Sequence, residues 1–286
     1  MSAQVFDPTR CALGEGPLWH PERGQLFWFD ILGHRLLTRT GGETQVWQFP
    51  EHVSATGWVD RDRLLIASET KLFLFDLESG AAETVAPLED DDPTTRSNDG
   101  RADPWGGFWI GTMGKLKEEG VGAIWRFYRG EVRRLHAGLT IPNAICFAPD
   151  GGHAHFTDTT TGVVMRQRLD PRDGWPAGDP EPWLDLRPEG LNPDGAVCDA
   201  QGNFWNAQWG ARRVACYDAA GHFQHAVAFP ADHTSCPAFG GPGLTTLYCT
   251  SALELLSDAQ LAVPEQGMTF AVADAGTGQA EHRVIL

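Results

Sequence analysis

Lysine is nearly missing from this chain: Lys71, Lys115 and Lys117 are the only three among 286 residues. With 38 acidic against 22 basic side chains the formal net charge is −16, and the sequence pI is near 4.9. Such a surface repels phosphate backbones and anionic headgroups, so neither nucleic acid nor a membrane is an expected partner. No apolar run approaches the roughly 18 residues that a membrane-crossing helix needs. The opening MSAQVFDPTR lacks a charged-then-apolar signal and a cleavage pattern, so a cytoplasmic protein is expected.

Several reactive patterns are also missing. There is no GxSxG elbow, no GxxxxGK-Ser/Thr phosphate loop, no strand-GxGxxG-helix unit and no HExxH, so serine esterase, nucleotide hydrolase, dehydrogenase and zincin chemistry lose their usual signatures. The six cysteines, at 11, 146, 198, 216, 236 and 249, show no CxxC and no zinc-finger spacing, and are expected to be free and buried in strands. Cys236 has no base near it in sequence to make it a nucleophile, and structural filler is the expected role. The acidic stretch Glu89 to Asp92 lacks the Asp-x-Asp-x-Asp-Gly pattern of a calcium loop and reads as a solvated connection. His153 and His155 share one face of a strand, but they follow a Pro-Asp-Gly-Gly turn and are expected at the surface.

Long 3.6-residue periodicity is absent as well, apart from one short helical turn expected around Ser257 to Leu261. What is present is repetition. Six glycine-punctuated segments begin near Gly14, Val53, Ser97, Pro142, Pro193 and Ser235. Aligned on Glu15, Ser54, Asn98, Asn143, Asp194 and Cys236, they recur every 40 to 50 residues or so, the period of a propeller blade. Each copy has an apolar stretch, a turn such as Pro-Asp-Gly, and a second run rich in aromatic or β-branched residues, such as Leu26 to Phe29 or Phe108 to Ile110. Weaker third and fourth strands follow, for instance Leu72 to Phe75 and Glu83 to Ala86. Four-stranded sheets of this size bury both faces only by packing around a common axis, so the sequence predicts an all-β, six-bladed β-propeller with four-stranded antiparallel blades, a single domain over residues 1–286.

In that architecture the inner strands all begin at one end of the central channel, so Glu15, Asn98, Asn143 and Asp194 converge there although they are far apart in the chain. Each alone reads as a turn residue before glycine or a small residue. Jointly, Glu15, Asn143 and Asp194 form an oxygen-donor set suited to one hard divalent cation, Ca²⁺, Mg²⁺ or Mn²⁺, with Zn²⁺ accessible through the carboxylates.

The motifs LGEGPLW (Leu13 to Trp19), RSNDG (Arg96 to Gly100) with GTM (Gly111 to Met113), GLTIPNAICFAPDG (Gly138 to Gly151), NPDGAVCDAQGNFW (Asn192 to Trp205) and TSCPAFGG (Thr234 to Gly241) span nearly the whole chain. In their order and spacing the chain resembles the SMP-30/gluconolactonase/LRE family, which includes regucalcin and bacterial sugar lactonases. The resemblance implies a six-bladed propeller with one divalent metal, Ca²⁺ or Zn²⁺ foremost, and places the family's metal ligands on Glu15, Asn143 and Asp194. It places the substrate-binding pair on Arg96 and Asn98, and a lid-loop glutamate on Glu118. Pro142 and Ala144 flank the asparagine where regucalcin-like members often carry Ser-Asn-Gly, a departure from the animal proteins that keeps the ligand.

The implied reaction is hydrolysis of a small sugar-acid lactone to the open-chain acid. A cation and Arg96 would stabilise the oxyanion, with either Asp194 or a metal-bound water activating the nucleophile. The ends of the second strands, Asp30, Glu69, Met113, Asp158, Gln208 and Ser251 or their neighbours, are expected to ring the mouth with polar groups suited to a polyhydroxylated ligand. The connection GKLKEEGVG after Met113 is a candidate cover for the pocket. Alternatives are a regucalcin-like calcium-binding regulatory protein and a phosphotriesterase-like hydrolase on the same fold.

Overall fold

The computed structural model describes residues 2–286. Six four-stranded antiparallel sheets surround a channel, and in five of them the strands pair in chain order from the axis outward. Blade 1 comprises Gly14–His20, Gln25–Asp30, Arg35–Thr40 and Glu43–Gln48, and blade 2 comprises Val53–Trp58, Arg63–Ser68, Lys71–Asp76 and Ala82–Pro87. Blade 3 comprises Thr95–Ala102, Phe108–Gly114, Gly122–Tyr128 and Glu131–Leu139. Blade 4 comprises Pro142–Phe147, His153–Asp158, Val163–Arg168 and Glu181–Asp185, and blade 5 comprises Asn192–Cys198, Phe204–Trp209, Arg213–Tyr217 and Phe223–Ala228. Inner strands of successive blades touch, and the sixth touches the first, so the ring is closed.

Closure uses both chain ends. Blade 6 takes its three inner strands, His233–Gly240, Thr246–Ala252 and Thr269–Val272, from the end of the chain and its outermost strand, Gln4–Asp7, from the beginning. The backbone pairs Gln4 with Ala271 and Val5 with Phe270, so opening the ring would expose an unpaired edge and the blade 6 core together. The last residues cross the opposite end of the channel from the site described below. There Arg101 pairs with Glu281, Gln279 Nε2 donates to Phe147 O and Cys198 O, and the Val284 side chain is buried against Gly57.

Burial falls from axis to rim. The second strand of blade 3, Phe108–Gly114, is buried throughout, whereas the fourth, Glu131–Leu139, is exposed or half-buried along its length. Trp28, Trp109 and Trp205, all in second strands, are among the largest fully buried side chains. The expected helical turn is present as Asp258–Leu261, with Ser257 and Gln260 forming a capping box. All six cysteines are free and buried. One expectation fails: His155 is not at the surface but packs between Trp183 and Phe204, with ring centroids 4.2 and 5.2 Å away. Two residues beyond the strand's start, the His155 ring already meets Phe204 of the neighbouring blade. Among the described residues no helix is long and apolar enough to cross a membrane.

A single backbone device aims the channel residues. The inner strand of every blade has a register shift against its neighbour, between Glu15/Leu18, Val53/Ala55, Ser97/Gly100, Asn143/Cys146, Pro193/Ala196 and Thr234/Pro237. Such bulges kink a strand and redirect its side chains, and here they fall at the recurring position in all six repeats. In blade 4 the kink holds Ala144, a non-glycine residue, at φ 58° directly after Asn143. In blade 1 the corresponding Gly16, at φ 54°, lies so close to blade 2 that a Cβ would meet Ser54 O at 2.2 Å.

Candidate active site

The bulges bring Glu15, Asn98, Asn143 and Asp194 together at the end of the channel where the inner strands begin, and Arg96 joins them from the start of blade 3. All five are at most 6% exposed. Arg96 Nη1 donates to Ser97 O and Asn98 Oδ1, both at 2.9 Å. Asn98 Nδ2 donates to Asn143 Oδ1 at 3.0 Å and to Pro142 O at 3.1 Å. Asn143 Nδ2 donates to Asp194 Oδ1 at 2.7 Å and to Thr159 Oγ1 at 2.9 Å, and Thr159 in turn donates to Pro193 O. A polar chain thus runs from a guanidinium to a carboxylate across three blades.

Its electrostatics are those of an under-compensated anionic site. Burial, reinforced by the charge of Asp99, pushes the Glu15 carboxyl up to about 8, against the pull of the Gly16 N–H and Arg96. Burial and then the charge of Glu15 push Asp194 well above the usual carboxylate range. Burial also lowers Arg96 from its ordinary value, opposed by Glu254, Glu15 and Glu69, although a guanidinium remains charged. Two buried carboxylates beside one another with a single cation nearby resist ionisation, and a divalent ion is the ordinary remedy. The donor set fits that role: Glu15, Asn143 and Asp194 all offer hard oxygens.

These residues form the floor of a cavity of about 230 Å³. Its walls include Leu13, Met113, Ile141, Trp209 and Leu255, and Lys117 and Glu254 pair at 2.9 Å at its outer end. Trp209 stacks on His233 at 4.2 Å and 21°, and His233 Nδ1 contacts Glu254 O, so the aromatic wall and the acidic rim brace each other.

The mouth differs from the expected polar ring. Of the second-strand ends, Met113 itself and the neighbours Thr159 and Trp209 line the cavity. The polar residues are taken up by neighbouring loops and strands: Asp30 accepts Leu13 N and Gly33 N, and Asp158 accepts Thr140 N and Ile141 N. Gln208 bonds Tyr217 and Arg213, and Ser251 donates to Met268 O. A polar residue that ends a strand is the nearest partner for the next loop's free N–H groups, and this local demand is met first. The Glu118 carboxylate turns back to accept Leu116 N at 3.1 Å, and its neighbour Lys117 lines the cavity instead. Lys117 has φ 63°, which swings the two side chains apart. Glu254 escaped the reading of the repeats because it does not stand at the recurring position, and Lys117 entered it only as part of the connection after Met113. Cys236 is buried with its thiol pushed well above the usual range, consistent with packing rather than nucleophilic use.

Residues 13–253 match the model of the SMP-30/gluconolactonase/LRE-like region. The chain belongs to this family. An L-arabinolactonase of Azospirillum brasilense is 36% identical, with 98% of this chain and 95% of that relative covered. A 6-deoxy-6-sulfogluconolactonase of Pseudomonas putida is 33% identical over 94% of each. Among solved structures, a calcium-binding protein, regucalcin, of Agrobacterium tumefaciens superposes with a TM-score of 0.97 at 41% identity, over 100% of this chain and 98% of that one. The family match therefore covers all the residues of the polar chain and the cavity walls, with only Glu254 and Leu255 just beyond it.

Proposed function

We propose that this chain is a metal-dependent sugar lactonase, a hydrolase that opens the ring ester of an aldonolactone to give the free sugar acid. The observation that carries this reading is the joining of two buried carboxylates, Glu15 and Asp194, to Arg96 through Asn98 and Asn143 on the floor of one cavity. Relatives named as lactonases, at 33% and 36% identity over almost the full chain, support it.

Glu15, Asn143 and Asp194 are the residues that would hold one divalent cation, which supplies Lewis-acid polarisation of the ring carbonyl; the calcium-binding relative favours Ca²⁺. Arg96 donates to protein only from Nη1 among the described residues, which leaves Nη2 for the substrate carbonyl or a ring hydroxyl. Asn98 fixes the guanidinium plane. Asp194 has one oxygen engaged by Asn143, and its other oxygen takes the proton of the attacking water as the new C–O bond forms. That proton then passes to the ring oxygen as the ester C–O bond breaks, so the product is the open acid. Trp209 offers an apolar face to the C–H side of a sugar ring, and Lys117 with Glu254 offers a donor and an acceptor to its hydroxyls.

The apolar walls favour one alternative, a phosphotriesterase-like activity, in which the same floor would act on an ester without hydroxyls. Acid release from a panel of aldonolactones at constant pH tests the lactonase reading. Turnover of at least one member is expected, and a panel that stays at the uncatalysed rate rejects it.

A further inference from the structure

We propose a second metal site, chemically distinct from the channel floor, at the rim of the mouth: His34, His52 and Glu69, suited to Zn²⁺ or a similar borderline transition ion. The three side chains come from three connections at the same end of the ring as the floor. His34 lies in the turn between Asp30 and Arg35, His52 in the link from blade 1 to blade 2, and Glu69 in the turn between Ser68 and Lys71. One ligand atom from each lies within 4.8 Å of the others, and all three residues are half-buried, so an ion there would be shielded yet reachable.

The cluster is already organised. His52 Nδ1 contacts Glu69 Oε1, His52 N donates to the same oxygen at 3.1 Å, and Glu69 N donates to His52 O. The rings of His34 and His52 meet edge to face with centroids 4.3 Å apart. His34 is held in a left-handed conformation, φ 54°, by its own N–H to Ile31 O and by Phe49 N donating to its carbonyl. Two imidazoles and one carboxylate are the three-ligand set of many zinc sites, with the fourth position left to water. Imidazole nitrogen binds borderline ions such as Zn²⁺ and Cu²⁺ more strongly than the carboxylate and amide oxygens of the floor do.

The outer contacts also suit a metal. Glu69 Oε2 accepts Lys115 Nζ at 2.5 Å, and Lys115 also donates to Pro93 O at 3.0 Å. Glu69 can therefore give Oε1 to an ion while Lys115 continues to orient it, as partners of ligating carboxylates do. Lys115 opens the connection that carries Lys117 to the cavity. An ion at this cluster would thus clamp blades 1 and 2 to the segment covering the pocket.

The test uses Cu²⁺ as a spectroscopic probe and Zn²⁺ as a stabilising ligand on the full chain. The expected result is one Cu²⁺ per chain with nitrogen hyperfine coupling, retained in Asp194→Asn, which alters only the oxygen-donor floor. His34→Ala and His52→Gln should each weaken that binding at least about tenfold and reduce the rise in Tm that Zn²⁺ produces. His34 sits in a half-buried turn, so His34→Ala is expected to fold, as circular dichroism would verify. Binding of equal affinity and spectrum in wild type and His34→Ala, or no nitrogen-coordinated Cu²⁺ in the wild type, would overturn the assignment.

Discussion

Asn143 Nδ2 donates to Asp194 Oδ1 at 2.7 Å, linking the inner strands of blades 4 and 5 across 51 positions of sequence. Asp194→Asn preserves the shape of the floor while removing a negative charge and the proposed proton acceptor. Turnover should fall at least about a hundredfold. The metal-free variant should melt no lower than the metal-free wild type, because one of two adjoining buried carboxyls that resist ionisation is gone. Steady-state kinetics with a melting curve reads both, and a near-native rate would reduce Asp194 to a turn residue.

Removal of the cation should leave Glu15 and Asp194 as adjoining buried carboxyls that resist ionisation. Chelated and desalted protein is expected to lose activity and to melt at a lower temperature, with both restored by adding back a divalent ion. Metal analysis beside the activity assay checks this. Full activity in rigorously metal-free protein contradicts it.

Lys117→Ala separates the cavity mouth from its floor. The Lys117–Glu254 pair is about a third exposed on the lysine side, so its loss should cost at most about 1 kcal/mol of stability. Its effect should appear chiefly as a raised KM for hydroxylated lactones, with kcat changed much less. Glu118→Ala should alter KM less than Lys117→Ala does, because the Glu118 carboxylate serves Leu116 N. The reverse order of effects would restore the glutamate as the substrate contact.

Acid should weaken the fold through a half-buried histidine. His136 stacks on Phe156 at 4.5 Å, and burial lowers it from 6.5 to about 4. The folded state prefers this ring neutral, so its contribution to stability is full above about pH 6.5 and is lost as pH falls toward 4. Denaturation at pH 7 and pH 5 should show a smaller acid loss in His136→Phe than in wild type. Equal losses would assign the acid sensitivity elsewhere.

The repeats made the blades legible because each pairs an apolar inner strand with an aromatic second strand, and that grammar is local. They also made Glu15, Asn98, Asn143 and Asp194 legible, since a shared position in each repeat becomes a shared place around the axis. The strand Gln4–Asp7 was not legible: it is four residues long and finds its partner, Thr269–Val272, only when the ring closes. Nor could spacing separate Lys117 from Glu118, because a single positive-φ residue in a loop decides which of the two faces the cavity. Asp30, Asp158 and Gln208 illustrate a related limit. Polarity in the sequence does not say whether a group serves a ligand or a neighbouring loop, and here unmet backbone N–H groups claimed the two carboxylates.

The central claim is that the floor formed by Arg96, Asn98 and Asp194 is built for a hydroxylated lactone. Sites that hydrogen-bond substrate hydroxyls reject analogues lacking them, because their donors are then left unpaired. The most direct measurement is kcat/KM for glucono-, galactono-, arabinono- and xylonolactone beside unsubstituted butyrolactone and a phosphotriester. At least one aldonolactone should be hydrolysed far faster than both comparison compounds; equal rates on all three classes, or a preference for the phosphotriester, would contradict the account.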